Sequence, residues 1–131
     1  VTSETRWHNS SKTIVYQAFT GMCDARAYLQ AVDELAEHIN SQSHRVDVIV
    51  DVRQADPSGF GFLTIIQQAT QRIPAGERMY VVVGGNAIVR SIVNISRFVV
   101  PGIRQSVCFV ASIEEAEATI HSQHNSVRIS V

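Results

Sequence analysis

Residues 46–52, VDVIVDV, form an apolar run interrupted only by Asp47 and Asp51. A short β-branched run of this kind reads as a central strand covered on both faces. Strand alternation puts Asp47 and Asp51 on one face with Ile49, and Val46, Val48, Val50 and Val52 on the other. The stretch 45–66 continues into a polar loop and the start of an amphipathic helix. A loop at the carboxyl end of such a strand is where α/β domains place binding or regulatory chemistry. Asp51 stands at that end, either accepting backbone N–H groups of the loop or acting directly as a ligand.

Four helical patterns and further strand patterns surround this run. Residues 12–19, KTIVYQAF, read as a strand, and residues 5–8 as its hairpin partner with Trp7 half buried. Gly21 is expected to end the second strand. Asp24 is the expected N-cap of a helix reaching about residue 41, with Tyr28, Leu29, Val32, Leu35, Ala36 and Ile39 as one apolar stripe. Asp56-Pro57-Ser58-Gly59 is turn chemistry, and residues 60–72 read as a helix stopped by Pro74 and Gly76. Residues 79–83, MYVVV, give another buried strand, closed by Gly84-Gly85-Asn86.

Residues 87–99 read as a helix whose apolar arc is wider than one sheet face needs. It either packs beneath a neighbouring helix or offers apolar surface to another chain or a ligand. Residues 106–111, SVCFVA, form the last core strand. Ser112 and Glu115 then fit a capping box for a helix to about residue 122. The tail 126–131, SVRISV, alternates and is expected either to add a short edge strand or to dock on a neighbour.

This order implies an α/β fold: a mixed five-stranded sheet with about four helices, a leading β-hairpin, then alternating α and β with right-handed crossovers. The chain has 131 residues, which fits a single domain with its core over about 5–122 and a short C-terminal tail. Its composition is 45% hydrophobic and 18% charged, so a packed core is expected rather than disorder. The net charge of −1 gives nothing to attract a phosphate backbone, which argues against nucleic acid. No apolar run approaches the roughly 20 residues that span a bilayer. Residues 1–9 show no signal-peptide pattern. Two cysteines, Cys23 and Cys108, make no disulfide framework and suggest a cytoplasmic location, with Cys108 a small core residue.

Three stretches resemble the SpoIIAA-like branch of the STAS superfamily: RVDVIVDV (45–52), YVVVGGNAIVRSI (80–92) and VCFVASIEEAEATI (107–120). The resemblance covers about residues 5–122. It implies the same five-stranded sheet and a non-catalytic regulatory role exerted by binding a protein partner. In the family's anti-sigma-factor antagonists, a phosphorylated serine directly follows an Asp just before a helix. Here Asp56 and Gly59 match that pattern, but Pro57 occupies the acceptor position and has no hydroxyl. The phosphoswitch is therefore expected to be lost. Ser58 either substitutes by a one-residue shift or caps the following helix.

The loop 54–59 and the N-terminus of the helix after it are the expected partner-binding surface, with Asp51, Asp56, Ser58 and Gly59 as its site residues. Gly84, Gly85 and Asn86 open a helix after a strand, and with Arg90 one turn in they form a candidate anion site. They match no dinucleotide or nucleotide-triphosphate fingerprint. His121 and His124 have a spacing two metal ligands could use, but no Cys or carboxylate completes the set, so no metal and no cofactor are expected. Ser58 is a conceivable nucleophile without a nearby His, so an enzyme is the least favoured reading. A second reading is a carrier of a small apolar ligand or lipid, resembling the CRAL-TRIO arrangement, with Phe60, Phe62 and residues 88–99 lining a pocket. A homodimer through the apolar third helix is a further expectation.

Overall fold

The computed structural model describes residues 2–22, 25–56, 71–74, 76, 78–84 and 107–130. The elements are β1 (Thr2–Trp7), β2 (Ile14–Met22), α1 (Ala25–Asn40), β3 (Asp47–Asp56), β4 (Tyr80–Val83), β5 (Val107–Val110) and α2 (Ile113–Ser130). The five strands form one sheet in chain order. β1 runs antiparallel to β2, and β2 through β5 are parallel. The α/β fold with a mixed sheet and a leading hairpin is as expected. Two helices are described in full, and residues 71 and 72 are also helical. The turn at 57–59, most of the expected helix 60–72, the whole of 87–99, Cys23 and the Asp24 cap lie outside the described residues.

The hairpin turn is built by Asn9. Its Oδ1 accepts the backbone N–H groups of Thr13 (3.0 Å) and Ile14 (3.2 Å). Its Nδ2 donates to the Thr13 hydroxyl at 2.7 Å. Lys12 takes the left-handed conformation that completes the reversal, at φ 57°.

The sheet buries both of its faces around β3. Val48, with Val15 and Val46, packs against Leu35 and Ile39 of α1. Ile49, with Val81 and Val83, packs against Ala116 and Ile120 of α2. Cys108 is half buried on that second face. The alternation inferred for residues 46–52 is thus realised. Val32, Leu35 and Ile39 carry the buried stripe of α1, together with Ala31.

Two buried polar side chains lock this packing. Gln17 donates to the Ala31 carbonyl (2.8 Å) and to the Thr5 hydroxyl (3.1 Å), tying α1 to two strands. Asp47 is fully buried and accepts the Met79 N–H at 2.7 Å and Arg45 Nε at 3.0 Å.

Three expectations are corrected. Gly21 does not end β2, which runs on to Met22. Its φ of 77° and a register shift between Ala18 and Thr20 mark an irregularity that the strand passes through. β3 likewise outruns its apolar core, reaching Asp56, because Thr20, Gly21 and Met22 pair with Gln54, Ala55 and Asp56. Residues 54–56 are therefore strand, not loop. The tail is helical as far as Ser130. Residues 112–131 hold no Gly or Pro, and extending an existing helix adds one hydrogen bond per residue without a new nucleation cost. The Ser112 cap is present: its Oγ accepts the Glu115 N–H at 3.2 Å. Glu115 reaches back one residue further than expected, to the Ala111 N–H at 3.0 Å.

Candidate functional site: a polar face anchored by Asp51

Asp51, Ile49 and Arg53 share one face of β3 by the two-residue strand period. α2 covers the Ile49 end of that face. Past it, the surface turns polar. Asp51 has a nearly buried side chain, 9% exposed, whereas Arg53 is 46% exposed. The carboxylate sits beneath the guanidinium and orients it from below.

Four hydrogen bonds converge on Asp51. Oδ1 accepts the Arg53 backbone N–H at 3.1 Å and Arg53 Nε at 3.0 Å. Oδ2 accepts Arg53 Nη2 at 2.8 Å and the Tyr16 hydroxyl at 2.7 Å. The Arg53 guanidinium is the main cause that pulls the Asp51 pKa down to about 2, and burial opposes it. The Arg53 pKa is raised in turn by Asp51. Burial first, and then the hydrogen bond to Asp51, raise the pKa of the Tyr16 hydroxyl. This carboxylate is ionised, poorly basic and saturated with donors. It is built to hold a neighbour in place and is poorly suited to taking a proton from a substrate.

The aromatic ring of Tyr16 extends the cluster to β1. Arg6, its register partner, lies over the ring with Cζ 4.5 Å from the centroid. Arg6 Nε also donates to Glu4 at 3.0 Å. His8 stacks on the same ring at 6.3 Å between centroids, and its Nε2 meets Glu117 of α2 at 2.7 Å. The face thus runs from Arg53 through Tyr16 to Arg6 and His8, and ends on the last helix.

Gly84 closes the other side. Its φ is 79°, and a Cβ there would lie 2.2 Å from Arg53 Cγ. The glycine therefore serves both a left-handed backbone and the passage of the Arg53 stem. Its N–H donates to the Val110 carbonyl at 3.0 Å.

No family model matches the chain, and no curated protein is significantly similar to it.

Of the residues singled out in the sequence, Asp51 and Gly84 come together, through Arg53. Asp56 is exposed, as the last residue of β3 opposite Met22. Ser58, Gly59, Gly85, Asn86 and Arg90 lie outside the described residues, as do Phe60, Phe62 and residues 88–99. Asp51 does accept a backbone N–H, but the donor is Arg53 of its own strand, not the loop beyond it. Tyr16, Arg53, Arg6, His8 and Glu117 were missed. The Asp51-x-Arg53 spacing on one strand face was the available signal for Arg53; the register that brings Tyr16 to Asp51 left no trace in the sequence. Among the described residues, no group of three or more His, Cys, Asp or Glu is placed to hold a metal ion. Nor is any described helix long and apolar enough to cross a membrane.

Proposed function

We propose that this chain is a non-catalytic interaction module that works by binding a protein partner, in the regulatory manner its STAS-like sequence stretches imply. The observation carrying this reading is the Asp51–Arg53 pair. A nearly buried carboxylate spends its hydrogen-bonding capacity on fixing an exposed arginine. Pre-ordering a surface arginine lowers the cost of immobilising it against a partner. The mixed sheet with its leading hairpin accords with the STAS resemblance, and Pro57 leaves the family's phosphorylation position without a hydroxyl. On this reading the polar face of β1, β2 and β3 is the contact surface, and the module acts in the cytoplasm.

The test is affinity capture from a matched lysate with wild type, Arg53→Glu and Arg72→Glu. Arg72 pairs with Asp33 of α1, away from this face. A defined protein retained by wild type and by Arg72→Glu, and lost with an Arg53→Glu chain that circular dichroism shows to be folded, is the expected result. Capture that is indifferent to Arg53 would count against the face.

A further inference from the structure

We infer that Arg53 and Arg6, set around the Tyr16 ring, form a recognition site for a carboxylate-bearing, acidic segment of the partner. The inference rests on the interaction-module reading for its occupant and on the following geometry for its chemistry.

An arginine offers five N–H donors in a rigid fork. Asp51 uses Arg53 Nε and one Nη2 donor, and the Tyr16 hydroxyl is a further hydrogen-bonding neighbour of the guanidinium, which leaves part of the five-donor fork exposed. Glu4 engages Arg6 through Nε, and among the described residues none accepts from either Arg6 Nη group. Glu4 and Glu117 each turn one oxygen, Oε1, to Arg6 and His8. The donors left on this face are guanidinium edges, and a planar guanidinium edge matches a carboxylate bidentately.

Both arginines are fixed before any partner arrives. Arg53 is gripped by Asp51 and threads past Gly84, where even one methyl group would block it. Arg6 is laid on the Tyr16 ring, and the hydroxyl of that ring is tied to Asp51. One buried carboxylate thus holds both cations, one directly and one through an aromatic plate. Such an arrangement presents fixed guanidinium donors to a carboxylate acceptor.

The experiment is a titration of the isotope-labelled chain, followed by nuclear magnetic resonance at matched ionic strength, with a hexaglutamate peptide, a hexalysine peptide or inorganic phosphate. Hexaglutamate is expected to produce saturable shifts at the Arg6 and Arg53 Nε–H signals and at Tyr16. Its affinity should fall at least tenfold in Arg53→Gln, stay unchanged in Arg72→Gln and weaken with added salt. Hexalysine should produce no saturable shift. Arg6→Gln is the second variant, should Arg53→Gln fail to fold, because the Arg6 side chain is 53% exposed. No saturation, or equal affinity in the variants, would overturn the site. Phosphate binding as tightly as the peptide would overturn the acidic segment as occupant. Partner capture that persists without peptide binding removes this inference alone. Peptide binding without face-dependent capture removes the module reading and leaves the anion site.

Discussion

At the scale of single residues, Asp51 sets the behaviour of its surroundings. Its pKa falls from 3.8 to about 2 on folding. A folded-state pKa below the unfolded value means that the ionised form stabilises the fold. The contribution is complete above pH 4 and is lost as pH falls from about 4 towards 2. A shift of this size corresponds to about 2 kcal/mol. Asp51→Asn is therefore expected to lose stability of that order at pH 7 in urea unfolding. The gap to wild type should narrow as pH falls from 4 to 2; a gap independent of pH would deny the ionised pair its role. Gly84→Ala makes a second residue-scale prediction. The left-handed φ and the close Arg53 stem each oppose a Cβ, so a loss of roughly 1–3 kcal/mol is expected. The loss should shrink in an Arg53→Ala background, where the obstructing Cγ is gone. A double-mutant cycle with no coupling would contradict that contact.

At the scale of elements, the sequence was most legible where one pattern governed one surface. The VDVIVDV alternation told the two sheet faces apart, because each face meets its own helix. The α1 stripe was legible for the same reason. Element ends were not. β2 and β3 outrun their apolar cores because each supplies the other's backbone partners from Thr20 to Met22 and from Gln54 to Asp56, a pairing that leaves no mark in either segment alone. The tail deceived by its alternation, since a two-residue period in SVRISV does not oppose a helix already running. The cap of α2 was readable to within one residue. Ser112→Ala should cost about 1 kcal/mol, seen as a lower urea midpoint and faster amide exchange in the first turn of α2. An unchanged midpoint and unchanged exchange would mean that the cap carries no weight.

At the scale of the whole molecule, the polar face joins the first strand to the last helix. β1 is an edge strand, and Glu4 and Arg6 place charge on it, which discourages indiscriminate edge pairing. His8, just after β1, and Glu117 of α2 join the two ends of the fold. Little of this site could be read from the sequence, because its members come from β1, β2, β3 and α2 and meet only through strand register. Asp51 alone stood out, as a carboxylate in an apolar run, and its surroundings change its meaning. It was expected to serve a loop or a ligand; it positions an arginine. On the proposed function, the face organised by Asp51 receives the partner. Amide hydrogen exchange of the captured complex is the deciding measurement. New protection confined to β1 and to the Asp51–Arg53 part of β3, with α1 unchanged, is the predicted result; protection on α1 with β1 unchanged would contradict it.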